Sequence, residues 1–303
     1  MSAIMGPLQI TLNHFRAANF AVITRQILQS RSLRKPLGIL AAFSLIYTLN
    51  KALARCGIGA LLVRNLAARD IKVVTVDIQP PLTPLPPNAR FYQLDVTSPA
   101  AVREVAQRIR ADVGGDPTVL VNNAGVGMGK PLLAETDEQV RRTFDVNIVA
   151  QFWMVREFLP AMVAADHGHV VTVASMASFL TLASNVGYSC SKAAALSLHE
   201  GLTQELRYRY HARNVCTSII HPMFTRTPLI QRATVKGDFP ADLLDPEDVA
   251  DAIMKQILRG RSGSVFLPGW CILISGIQGF PTLLQELIRG SKAHVLDGRS
   301  FAA

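Results

Sequence analysis

Hydrophobic and polar positions fall into blocks along this chain, and from Gly57 onward the blocks follow a regular order. Short apolar runs predict strands at Ile71–Asp77, Arg90–Leu94, Thr118–Asn122, His169–Ser175, Val215–Ile220 and Ser264–Leu267. Between them lie longer stretches with helical spacing. One opens at Gly57-Ile58-Gly59 and ends near Arg69; others cover Pro99–Ala111, Asp137–Ala165 and Gly187–His211. A last helix starts at Asp245-Pro246 and runs to about Arg259, its proline suiting a first helical turn. Strands and helices alternating at these lengths predict an α/β fold, a doubly wound parallel sheet covered on both faces.

The two ends break the pattern. Residues 1–36 mix apolar positions with Arg16, Arg25, Arg31, Arg34 and Lys35, and Leu37–Leu49 carries no charge. Thirteen apolar residues are short of the roughly 20 that a spanning helix needs, so the run reads as an interfacial or tilted anchor, or equally as a core element. It comes too late for a cleavable signal. From Ser262 to Gln285 there is again no charge, but Pro268, Gly269, Gly276, Gly279 and Pro281 interrupt the stretch. That argues against a spanning helix and for a substrate lid or interfacial segment containing Trp270 and Phe280. The predicted organisation is an anchor segment over 1–50, a catalytic domain over 51–269 and an apolar lid and tail over 270–303.

Composition adds a lipid-compatible character. Hydrophobic residues make up 49% of the 303, which is high for a soluble enzyme of this size. The net charge of +9 is spread along the chain without a long basic run, which fits an anionic cofactor or a membrane surface better than nucleic acid. Cys56, Cys190, Cys216 and Cys271 lack metal-binding spacing, which fits a reduced intracellular protein with no structural metal.

The candidate chemistry centres on Ser175 to Lys192. Tyr188 and Lys192 are four residues apart, one helical turn, so a helix starting near Gly187 presents the phenol and the ammonium on one face. Ser175 closes an apolar strand, where open α/β sheets bind ligands. A phenol with a pKa near ~10 is a poor base, and a neighbouring ammonium favours its ionised form. The serine hydroxyl can hold an alcohol or carbonyl oxygen while a hydride moves. Farther upstream, Gly57, Ile58 and Gly59 at a helix start suit a pyrophosphate. Asp77, about twenty residues on, suits ribose hydroxyls and would repel a 2′-phosphate, favouring NAD over NADP.

Together, Asp95-Val96, Asn122-Asn123-Ala124-Gly125, Asn147, Ser175, Tyr188-Ser189-Cys190-Ser191-Lys192 and His221-Pro222-Met223-Phe224-Thr225-Arg226-Thr227 resemble the short-chain dehydrogenase/reductase family. The resemblance spans about Gly57 to Gly269. It is to the branch with retinol dehydrogenases and membrane- or lipid-droplet-associated beta-hydroxysteroid dehydrogenases, and it implies a Rossmann-type fold. It also implies that Tyr188 is the acid/base, that Lys192 lowers its pKa and binds the nicotinamide ribose, and that Ser175 orients the substrate. Asn147 would hold a water linking the lysine to solvent. Asp95 and Val96 would flank the adenine, Asn123, Ala124 and Gly125 would line the cofactor cleft, Thr227 would contact the carboxamide, and Thr225 would be a further cofactor-binding residue. Asp95 could instead cap the helix at Ala100, and Asn147 could simply bond backbone in a kinked helix.

The chain departs from the family in two places. Ala52, Leu53, Ala54, Arg55 and Cys56 stand where the family has the start of its glycine motif, leaving Gly57 and Gly59. Either Ala42–Leu49 serves as a substitute central strand, or the sheet lacks its middle member. Met223 replaces a customary glycine. The expected activity is NAD(P)-dependent interconversion of an alcohol and a carbonyl on an apolar, lipid-like substrate such as a retinoid or steroid. The expected location is the cytosolic face of the endoplasmic reticulum membrane or a lipid droplet, with a homodimer as the candidate assembly. The alternatives are an impaired pseudoenzyme and a membrane-binding scaffold.

Overall fold

The computed structural model describes residues 44–47, 57–231 and 243–296. Seven parallel strands form one sheet: β1 (Ser44–Tyr47), β2 (Val73–Asp77), β3 (Ala89–Gln93), β4 (Val119–Asn122), β5 (Gly168–Val173), β6 (Val215–Pro222) and β7 (Gly263–Leu267). Their spatial order is β3-β2-β1-β4-β5-β6-β7, a doubly wound arrangement.

β1 settles the question of the middle strand. Ser44–Tyr47 pairs with Val73–Val76 on one side, and Ser44–Ile46 pairs with Val119–Val121 on the other. Four residues inside the span expected to be an anchor therefore complete the sheet. The altered glycine motif at Ala52–Cys56 and the charged stretch 1–36 lie outside the described residues.

The helices are α1 (Ile58–Ala67), α2 (Pro99–Val113), α3 (Asp137–Phe144), α4 (Ala150–Ala165), α5 (Val186–Tyr208), the short α6 (Pro228–Gln231), α7 (Pro246–Arg259), α8 (Ile272–Ser275) and α9 (Thr282–Gly290). Their limits follow local chemistry. Ser98 caps α2 by accepting from Ala101 N–H, and Gly114 ends that helix in the left-handed region at φ 83°. Asp95 does not cap α2; it accepts from Thr97 N–H. Thr136 and Gln139 form a reciprocal cap at the start of α3.

The helix predicted over 137–165 is continuous in path but not in type. A π-helical turn at Asp145–Val149 separates α3 from α4, and Asn147 is on it. By length and composition Asp137–Ala165 is apolar enough to cross a membrane. Here Met154 and Phe158 on it are buried in the core, in a cluster to which α2, α5 and strands β2 to β6 also contribute. α1 and α7 cover the opposite face of the sheet through Leu62, Leu66, Val249 and Ile253.

Candidate active site

β5 ends one residue before Ala174, and Ser175 follows it; α5 then begins at Val186, so Tyr188 and Lys192 occupy its first two turns. Ser175 is held from several sides. Its Oγ accepts from Ala177 N–H at 3.1 Å and lies 3.4 Å from the Pro222 carbonyl. Its carbonyl lies 3.2 Å from His221 Nδ1, and that imidazole stacks on Phe266 with centroids 5.0 Å apart.

Lys192 is buried; its Nζ donates to the Val173 carbonyl at 2.9 Å and lies 5.7 Å from the Tyr188 ring centroid. Burial brings the ammonium down to about 8. Burial also pushes the Tyr188 phenol up to about 12, with a hydrogen bond to Ser175 acting in the opposite direction. Desolvation disfavours the phenolate more than the protein's own groups favour it.

Asn147 is fully buried and acts as a brace. Its Oδ1 accepts from Val126 N–H at 2.8 Å, while Nδ2 donates to the Val126 carbonyl at 2.9 Å and to Ser191 Oγ at 2.8 Å. Both amide hydrogens are therefore used within the protein. Its own carbonyl accepts from Gln151 Nε2 at 2.6 Å, a partner one turn on that the sequence did not flag. The side-chain amide thus makes the backbone bonds of the alternative reading for this residue.

The loops after β4 and β6 close around the same place. A Cβ on Gly125 would come 3.5 Å from Lys192 Nζ, and one on Gly127 would come 3.1 Å from Tyr188 Cδ2. Thr225 and Thr227 are buried, their hydroxyls donating to the carbonyls of Met223 and Thr225. Met223, the departure from glycine, donates its N–H to the Leu267 carbonyl at 2.8 Å.

A cavity of about 730 Å³ joins these groups. Ser175, Tyr188, Lys192, Ile58, Asn123, Gly125, Thr225 and Thr227 all line it. Gly57, Gly59, Asp77, Asp95, Val96, Ala124 and Asn147 do not. Val96 and Ala124 are buried in the core. Asp77 ends β2 and accepts from Gln79 N–H at 3.1 Å. The residues fit a dinucleotide. Gly125 leaves room beside the lysine, Ile58 opens a helix with no side-chain cap and no acid in its first turn, and no carboxylate lines the cavity among the described residues. From the carboxyl-terminal segment read as a lid or interfacial segment, Trp270, Ile274, Ile288 and Leu296 also line the cavity; the sequence reading singled out Trp270 but not the other three.

Residues 54–236, more than half of the chain, match the family model described as short chain dehydrogenase. The chain belongs to this family. It is 53% identical over 131 residues to Dehydrogenase RED3 of Cochliobolus heterostrophus, a match covering 43% of this chain and 66% of that protein, just under two thirds of its length. It is 32% identical over 242 residues to estradiol 17-beta-dehydrogenase 11 of Rattus norvegicus, covering 77% of this chain and 79% of the relative. Among solved structures, a short-chain dehydrogenase from Streptomyces avermitilis superposes with a TM-score of 0.65 at 23% identity, over 82% of this chain and 98% of that one. That likeness establishes the shared fold.

Proposed function

We propose that this short-chain dehydrogenase interconverts an alcohol and a carbonyl on an apolar, lipid-like substrate, using a nicotinamide cofactor. The observation that carries this reading is the composition of the cavity. Ser175, Tyr188 and Lys192 line it together with Met176, Leu180, Leu182, Leu229, Ile288 and Leu296. The name of one relative, estradiol 17-beta-dehydrogenase 11, supports an apolar alcohol.

When bound, the cofactor supplies the hydride acceptor or donor. Ile58 and the first-turn amides of α1, Asn123, Gly125, Thr225, Thr227 and Lys192 would hold it, with Asp77 at the end of β2 favouring NAD. Ser175 donates its hydroxyl hydrogen to the substrate oxygen and fixes its position. Tyr188, kept protonated by burial, gives its proton to that oxygen in the reductive direction. In the oxidative direction it takes the proton back, aided by the positive charge of Lys192.

The carboxyl-terminal segment supports attachment to a lipid surface, either the endoplasmic reticulum membrane or a lipid droplet. Leu273 and Leu283 are each 75% exposed, Leu287 is 62% exposed and Trp270 is 58% exposed, an apolar display that water disfavours.

Tyr188→Phe tests the catalytic assignment. Turnover should fall to background while NADH binding, followed by its fluorescence, stays within about twofold, because the lost hydroxyl serves the proton transfer. A variant keeping most of its rate would sink the assignment.

A further inference from the structure

The cavity has an unusual charge inventory. Among the described lining residues only Lys192 and Lys292 are charged, and none of these is acidic. Lys192 is spoken for: it is buried, bonded to Val173 and beside Tyr188. Lys292 belongs to a different wall, two residues beyond the end of α9, with Ile288 and Val295 as cavity-lining neighbours in the chain. The other cation nearby is engaged on the surface, Arg289 donating to Glu286 at 2.7 Å and to Gln285 at 2.9 Å. Among the described residues Lys292 has no ion pair and no side-chain hydrogen bond. Lys292 is exposed at the border of this largely apolar chamber, and with no acid among the described lining residues its ammonium is placed to receive an anion.

We propose that Lys292 forms a carboxylate subsite, and that the substrate is an amphiphile: an apolar chain with the reacting alcohol or carbonyl at one point and an acid group at another. A hydroxy or oxo fatty acid has this chemistry. The proposal deepens the reading of this cavity as the substrate site and rests on it. A Lys292 that merely complements the carboxyl end of α9 would show no selectivity for acids.

The test uses the full-length protein carrying Trp153→Phe, which leaves Trp270 in the cavity wall as the only tryptophan of the chain's two. Trp270 fluorescence is titrated with dodecanoic acid and with its methyl ester at pH 8, where the acid is ionised. The acid should bind about tenfold more tightly, as one charge-assisted hydrogen bond at a partly wet site allows. Lys292→Ala should abolish the gap by weakening the acid alone, Lys292→Arg should keep it, and Lys292→Glu should reverse it. Equal affinities, or a gap that survives Lys292→Ala, would overturn the proposal. Turnover of a hydroxy acid and its methyl ester is measured in parallel. Turnover of both without an acid preference removes the subsite and leaves the oxidoreductase reading intact. A Lys292-dependent binding gap with no turnover of either compound does the reverse.

Discussion

At the scale of single residues, the site depends on how tightly Tyr188 is held and on which groups near it are charged. A methyl group at Gly127 would sit 3.1 Å from Tyr188 Cδ2, so the ring or the loop must give by a few tenths of an ångström. Gly127→Ala should lower kcat by on the order of tenfold with little change in melting temperature, because misplacing a catalytic group costs rate before it costs stability. Unchanged kcat would show that the ring tolerates the shift. Lys192 has its folded-state value depressed to about 8, so it is charged below that pH and neutral above it. Carbonyl reduction should therefore decline as pH rises through about 8, when the charge beside Tyr188 is lost. A rate that is flat from pH 7 to 9.5 would contradict this role for the ammonium.

At the scale of elements, β5, α5 and β6 carry three buried imidazoles: His169, His199 and His221. Burial lowers each to about 4. Depressed values mean that the unfolded chain takes up protons near pH 6.5 that the folded chain refuses. Stability is therefore undiminished above pH 6.5 and falls as pH drops from 6.5 towards 4. By linkage each contributes a loss of about 2 kcal/mol at pH 5 relative to neutral pH. Urea midpoints measured between pH 7 and 5 should drop steeply, and His169→Gln should flatten part of that slope. A second element-level constraint is at the start of β5. A Cβ on Gly168 would fall 2.6 Å from Met162 Cγ on α4, so Gly168→Ala forces that methionine aside. Overpacking of this kind costs roughly 1–3 kcal/mol and should appear as a lower unfolding midpoint.

At the scale of the whole molecule, the critical piece is β1. It is short, but it is paired on both sides in the middle of the sheet, between β2 and β4. Proline cannot donate to a ladder, so Leu45→Pro should disrupt the sheet by roughly 3 kcal/mol or more and leave little soluble, cofactor-binding protein. If the variant folds and melts like the parent, residues 44–47 are not the central strand. The same scale governs the carboxyl-terminal wall. The reverse of the exposed leucines is Ile274 and Ile288 at the cavity, so one segment both shapes the substrate space and displays an apolar surface.

The sequence by itself determined what depends on short-range spacing. The alternation of apolar runs and helical stretches gave six of the seven strands to within a few residues. The four-residue step from Tyr188 to Lys192, after a serine at a strand end, gave the chemical centre. It also posed the choice about the middle strand without deciding it. Tertiary structure decided whatever depends on which surfaces meet, because periodicity marks an apolar face but does not say what covers it. Asn147 is locked by Val126, 21 positions earlier, and by Ser191, 44 later, so its role as a brace had no local signature. The π turn that carries it arises within an unbroken helical pattern. Lys292 reaches the cavity from a hundred residues beyond Lys192 only because the carboxyl-terminal helices fold back over the ends of the strands, where the chain has no local reason to place it.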